Sequence, residues 1–200
     1  MQQFEMRSFL QRFTNDVDDL QIYDVLNALP SIRSGVWLAG GAIRKTLQGI
    51  KIDSDFDFFF RSKEQFDTYE KELIALGAKL TRKTEPNHTY CLTFKNEPVM
   101  IQLIKINYYK DAEAVIDSFD FTITQFAYDG TNLYCGDYSL WDLPRKKLAL
   151  NKMPYGVSTM RRLIKYTNQG FTACAGVMQS ILQSVVDDPS VINSDVVSID

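Results

Sequence analysis

Between residues 1 and 30 the apolar positions recur at three- and four-residue intervals. Phe4, Phe9, Leu10 and Phe13 stripe one amphipathic helix, and Leu20, Tyr23, Leu26 and Leu29 stripe a second, which Pro30 ends. The apolar run Val36-Trp37-Leu38-Ala39 predicts a short buried strand, broken by Gly40-Gly41. A helix carrying Ile43, Arg44 and Leu47 follows and stops at Gly49. From Ser54 to Phe60 the pattern alternates, so a strand there shows Asp55 and Asp57 on one face and Phe56 and Phe58 on the other.

Lys63 to Leu76 reads as a helix with Phe66, Tyr69, Leu73 and Leu76 inward and Gly77 as its stop. Strands over Thr89–Phe94 and Val99–Ile106, joined by Lys95-Asn96-Glu97-Pro98, form a hairpin. Asp111 to Asp117 is a short helix, and Phe121 to Tyr128 a strand before the turn Asp129-Gly130. Ser158 to Asn168 is a basic amphipathic helix ending at Gly170, and Thr172 to Val186 is another helix. The expected organisation is a mixed α/β (α+β) domain over 1–150, a short helical neck over 151–186, and a frayed or disordered polar tail over 187–200. No internal repeat or low-complexity segment interrupts it.

The 45% apolar fraction, with 13 Phe and 10 Tyr, is enough for a sizeable core in one domain of 200 residues. A net charge of −3 leaves long nucleic acid to be held by a local basic patch rather than by bulk charge. Cys91, Cys135 and Cys174 are far apart and odd in number, which fits neither a zinc site nor a disulfide framework and points to a reducing compartment. Met1-Gln2-Gln3-Phe4-Glu5 lacks a signal-peptide pattern, and no run approaches the ~20 apolar residues of a spanning helix, so a soluble cytoplasmic protein without membrane contact is expected.

The chemistry concentrates between Leu38 and Asp57. Two glycines between a strand and a helix leave backbone N–H groups unpaired, and the missing Cβ atoms let a phosphate approach, with Arg44 one turn on. Two carboxylates on one side of the next strand are costly unless a cation neutralises them, and Mg²⁺ or Mn²⁺ prefers carboxylate and phosphate oxygens. Taken singly, Gly40-Gly41 is a tight turn and each Asp a solvated edge residue. Taken together with Phe56, Phe58, Phe59 and Phe60, which mark the strand as buried, the carboxylates need a function.

Gly40-Gly41-Ala42-Ile43-Arg44-x-x-Leu47-x-Gly49 followed by Asp55-Phe56-Asp57 resembles the head domain of class II tRNA nucleotidyltransferases and bacterial poly(A) polymerases, of the DNA polymerase β superfamily. Asp120-Phe121-Thr122-Ile123-Thr124-x-x-Ala127 resembles a strand motif of that family. Leu140-Trp141-Asp142-Leu143 and Met160 to Phe171 resemble its continuation and first neck helix, so the likeness covers Trp37 to about Phe171. The resemblance implies a polymerase β-like nucleotidyltransferase fold, with a mixed central sheet flanked by helices. It implies that Gly40, Gly41 and Arg44 hold the triphosphate of an NTP and that Asp55 and Asp57 bind Mg²⁺ (or Mn²⁺). Asp120 would sit near metal and sugar, while Arg161, Arg162 and Lys165 face the nucleotide or an acceptor such as a tRNA-like RNA 3′ end or a protein. Short stand-alone nucleotidyltransferases of phages and of toxin or defence systems have this bare-head character.

Four departures from the family pattern stand out. One extra residue follows Gly49, which leaves Asp53/Asp55 open as another register; Ser118 and Phe119 replace basic residues; and Thr124 replaces Asn. Gln102 occupies the hairpin position of a third carboxylate, so any third acid falls to Asp120. Two functions follow from this: a metal-dependent nucleotidyltransferase, or a retired head domain that binds nucleotide, RNA or a partner protein. Elsewhere, His88 beside Pro86-Asn87 reads as a surface or capping residue, and Arg82-Lys83 and Arg145-Lys146-Lys147 read either as solvated faces, the commoner case, or with the Arg161 helix as an acceptor-binding strip. Trp37, Trp141, Cys174 and Met178 read as core, and Tyr108-Tyr109 as packing rather than the alternative, a platform for a stacked base.

Overall fold

The aromatic run after Asp55 becomes the middle of a mixed sheet. In the computed structural model, which describes residues 1–17, 20–153 and 155–192, β1 (Gln2–Glu5) leads into α1 (Met6–Leu10) and α2 (Gln21–Asn27). Then come β2 (Val36–Ala39), α3 (Gly41–Leu47), β3 (Phe56–Phe60), α4 (Lys63–Ala75), β4 (Lys79–Lys83), β5 (Asn87–Phe94) and β6 (Glu97–Ile104). After α5 (Ala112–Asp117) and a 3₁₀ turn at Thr122–Thr124 follow β7 (Phe126–Tyr128), β8 (Asn132–Cys135), α6 (Ser139–Asp142) and β9 (Lys147–Leu148). The chain continues through α7 (Gly156–Asn168), β10 (Thr172–Ala173), α8 (Ala175–Asp187) and a 3₁₀ turn at Pro189–Ile192.

Among the described residues the large sheet has eight strands in the order β1-β8-β7-β2-β3-β6-β5-β4. β3 runs parallel to β6, and the other neighbours pair antiparallel. On one face Phe58 stacks 4.9 Å from Tyr69 and Phe60 meets Phe66 at 5.3 Å, both on α4. Phe58 and Phe60 are fully buried, which stabilises the fold by about 1.5–3 kcal/mol each. The other face gathers Trp37, Ala39, Phe59 and Ile104 beneath Ala112, Val115 and Ile116 of α5. Period-two geometry therefore puts Asp57 on the α5 face with Phe59. Helices flank the sheet on both sides, and Tyr166 and Phe171 from the α7 region join the larger core cluster. Among the described residues no helix is long and apolar enough to cross a membrane.

Several local expectations change. The first helix is shorter than its stripe, because Gln2–Glu5 pairs with Asn132–Cys135 as a sheet edge. Glu5 then caps α1 by accepting from the N–H groups of Arg7 and Ser8, and Phe13 lies exposed. β4 is exposed along its whole length, so it carries no apolar alternation to mark it, and its Lys and Arg side chains suit an edge strand. The hairpin turn is only Lys95-Asn96, both with positive φ, while Glu97 and Pro98 already belong to β6. The expected strand from Phe121 breaks into the 3₁₀ turn, where Thr124 Oγ1 donates to the Phe121 carbonyl at 2.8 Å.

Leu76 and Trp141 are exposed rather than inward, the latter covered by the Arg145 guanidinium 4.5 Å above its ring. Cys174 and Met178 are exposed as well, since Val177 and Ile181 form the inner stripe of α8. Thr172 and Ala173 pair with β9 before α8 begins. Of the tail, 188–192 is described and its remainder lies outside the described residues.

Candidate functional site

Gly40 closes β2 with φ +80° and ψ −130°, a backbone state that side-chain-bearing residues avoid. Its N–H donates to the Phe126 carbonyl at 3.1 Å, which ties the turn to β7. A Cβ on Gly40 would stand 3.6 Å from Asp57 Oδ2 and 3.5 Å from the Phe119 ring. A Cβ on Gly41 would meet Ser54 Oγ at 3.0 Å, and that hydroxyl is buried without a hydrogen-bond partner. The Gly-Gly turn is thus walled by Asp57, Ser54 and Phe119.

Asp57 is 1% exposed and lies between Ala39 of β2 and Gln102 of β6 in the sheet register. Asp55, just before β3, is half-buried and accepts a hydrogen bond from Gln102 Nε2. Two carboxylates two residues apart, one just before β3 and one on it, offer the oxygen donors a hard divalent cation takes. Among the described residues no cluster of three or more His, Cys, Asp or Glu side chains that could hold a metal ion forms. Asp120, 2% exposed, receives the Arg162 guanidinium. The alternative partner Asp53 is largely exposed and contacts Lys45 Nζ. Burial pushes the Lys45 ammonium down to about 8, with the charges of Arg44 and Lys165 acting the same way and Asp55 opposing them.

A cleft of about 210 Å³ opens beside the turn, lined among others by Gly40, Gly41, Phe59, Phe119, Asp120 and Arg162. Its aromatic wall is a set of edge-on rings, with Phe59 at 5.8 Å from Tyr109 and 5.7 Å from Phe119. Lys152, at the rim, pairs with Asp117 at 2.8 Å. Thus Gly40, Gly41, Asp120 and Arg162 come together here, with Asp57 against Gly40. Arg44 is placed differently. It is 3% exposed, donates to Gln48 and Gln169, and lies 5.1 Å and 5.5 Å over the rings of Tyr166 and Phe171. Arg161 is exposed and Lys165 half-buried, and neither lines the cleft.

Sequence reasoning missed the aromatic wall, although Phe119 next to Asp120 was a visible signal. It also placed His88 at the surface. His88 is 6% exposed within β5, its Nδ1 at 2.5 Å from Glu70, which Tyr90 OH also engages at 2.7 Å. That cluster pins α4 to β5 on the sheet face opposite α5.

Residues 1–146 match the sequence model of a family described as Gabija anti-defense 2 family protein. A curated relative named Gabija anti-defense 2, from Bacillus phage SPbetaL7, is 24% identical over 143 residues, covering 70% of this chain and 34% of the relative. Among solved structures, the Thermotoga maritima CCA-adding enzyme complexed with tRNA superposes with a TM-score of 0.66 at 20% identity, over 94% of this chain and 47% of the enzyme. A CCA-adding enzyme complexed with CTP gives 0.67 at 20% identity, over 97% of this chain and 49% of the other. The Bacillus stearothermophilus CCA-adding enzyme with CTP gives 0.53 at 16% identity, over 76% and 39%. The chain therefore has the nucleotidyltransferase fold of these enzymes. It spans about a third of the phage relative and about half of the two more similar enzymes.

Proposed function

The chain belongs to the Gabija anti-defense 2 family, and we propose that it is a metal-dependent nucleotidyltransferase that moves a nucleoside monophosphate from an NTP to a hydroxyl acceptor. The observation that carries this reading is the Asp57 carboxylate set against Gly40, where a Cβ would come within 3.6 Å of it. A phosphate on the Gly40–Gly41 backbone would lie beside a buried acid, an arrangement that repels unless a cation sits between them. Asp55 and Asp57 would hold Mg²⁺ or Mn²⁺. When bound, the ion supplies positive charge against which a hydroxyl loses its proton and pyrophosphate departs.

The remaining tasks fall to the chain itself. Gly40 and Gly41 give the triphosphate close backbone approach. Phe59 excludes water, and the partly buried Phe119 and Tyr109 offer ring surface on which a base stacks. Asp120, held by Arg162, presents an acceptor to a sugar hydroxyl at the cleft wall. Arg44 serves at one remove, by joining α3 to the neck segment 151–186 against the head 1–150. Arg161 and Lys165 put positive charge on α7 for an RNA 3′ end or a protein acceptor.

Incubation with each α-labelled NTP, Mg²⁺ or Mn²⁺ and an extract containing RNA and protein tests this. Label transferred by the native chain and lost in Asp55→Ala/Asp57→Ala supports it, and RNase or protease sensitivity identifies the acceptor. Absence of label from the folded protein with every nucleotide overturns it. A second reading, a head domain that binds nucleotide, RNA or a partner without turnover, draws on the neutral Gln102 beside Asp55 and the family's anti-defense name.

A further inference from the structure

The Asp55 carboxylate lies at the front of a directed chain of hydrogen bonds. An ionised carboxylate only accepts, so Gln102 must present its Nε2 to Asp55 Oδ2. That leaves Gln102 Oε1 facing inward, where it accepts from Asn87 Nδ2 at 3.1 Å. Asn87 Oδ1 in turn accepts from Thr84 Oγ1 at 2.9 Å. Asn87 and Gln102 are 4% and 8% exposed, so solvent does not offer the amides other partners. Turning the Gln102 amide over would set oxygen against oxygen at Asp55 and nitrogen against nitrogen at Asn87. The sheet fixes the backbone beneath, since Gln102 is the register partner of Asp57 on β3 and of Thr89 on β5.

We propose that Gln102 is a positioning residue whose amide, oriented by Asn87, holds Asp55 in place and partly offsets its charge. A divalent cation then competes with this N–H donor for the same carboxylate, so that the ion binds weakly on its own and arrives with its nucleotide. The inference rests on the reading of Asp55 and Asp57 as cation ligands. It separates the role of position 102 from that of a missing third acid: the amide is a built contact with two further hydrogen bonds behind it.

Two substitutions act on the relay from different ends. Gln102→Met keeps the length of the side chain, has no donor for Asp55 and adds no charge. Asn87→Leu removes the donor to Gln102 and likewise adds no charge. The Gln102 amide then loses the contact that fixes its orientation toward Asp55. Mn²⁺ binding without nucleotide is measured by calorimetry and electron paramagnetic resonance on the full chain, with circular dichroism to check each fold. Both variants should bind Mn²⁺ roughly tenfold tighter than the native chain, and Asp57→Ala should remove that binding. Asp57-dependent Mn²⁺ binding that neither variant tightens overturns the role of Gln102 and leaves the transferase reading standing. If no variant binds Mn²⁺ through Asp57, even with an NTP, the cation-ligand reading falls and this inference with it. Should Asn87→Leu not fold, Gln102→Met alone decides.

Discussion

Nη1 of Arg162 donates a 2.6 Å hydrogen bond to Oδ2 of Asp120, which joins α7 to the segment ahead of the 3₁₀ turn across the wall of the cleft. The side chains are 13% and 1% exposed, so each charge depends on the other. Asp120→Asn or Arg162→Met alone should destabilise the fold by about 3–5 kcal/mol, and the double variant by clearly less than the sum. Urea unfolding of the four proteins checks this; additive losses would show that the pair is not coupled.

Gly40→Ala places a methyl group on a backbone with φ +80°, between Phe119 and Asp57. The strain should cost about 1–3 kcal/mol. Because the methyl group also fills the proposed phosphate cradle, stabilisation by Mg²⁺-NTP should vanish even where the fold survives. Thermal melting with and without NTP reads both effects, and an NTP shift equal to that of the native chain would move the phosphate elsewhere.

Arg44 holds α7 and the turn after it through the rings of Tyr166 and Phe171 and the amide of Gln169. Arg44→Met keeps the apolar stem but loses the planar cation and its donors, at a cost of about 1–3 kcal/mol. Faster amide exchange is expected across Gly156–Asn168, with β3 unchanged. Hydrogen exchange by mass spectrometry measures it; a uniform change across the sheet would contradict a local role.

The pH dependence of stability should carry a signature of Lys45. Its folded pKa, pushed down to about 8 by burial, lies below the ordinary 10.5. The unfolded chain therefore binds more protons between these values, and stability rises as pH climbs from about 8 toward 10.5. Below that window the protonated, buried amine is a standing cost. Lys45→Met should remove this rise, so the difference between the two proteins' urea midpoints should shift in favour of the native chain with increasing pH. A difference that stays flat across the window would show that Lys45 keeps an ordinary pKa.

Local features of the chain were legible wherever a short-range pattern dictates them. The alternation around Asp57 and the break at Gly40-Gly41 gave a strand and a turn because both follow from backbone geometry. β4 was invisible, since a strand exposed along its length carries no apolar period. The contact of Gln102 with Asp55 could not be read either: it depends on the parallel register of β3 and β6, which segments far apart in sequence establish together. Arg44 shows the same limit. One turn after Gly40 it read as a phosphate contact, yet the return of α7 supplies aromatic rings that take up its guanidinium. His88 was misplaced because its partner Glu70 lies on another element.

The edge pairing of Gln2–Glu5 with Asn132–Cys135 has a consequence for how the protein is made. On the ribosome the first of these segments emerges well before the second. At ~5–20 residues per second the wait is on the order of ten seconds. Throughout it the β1 segment has no strand to join, and until β7 and β8 emerge the growing sheet ends at β2 with an open edge. A chaperone or a neighbouring nascent chain meets the protein in that interval, and a fusion placed ahead of Gln2 would weigh on the last seam to close.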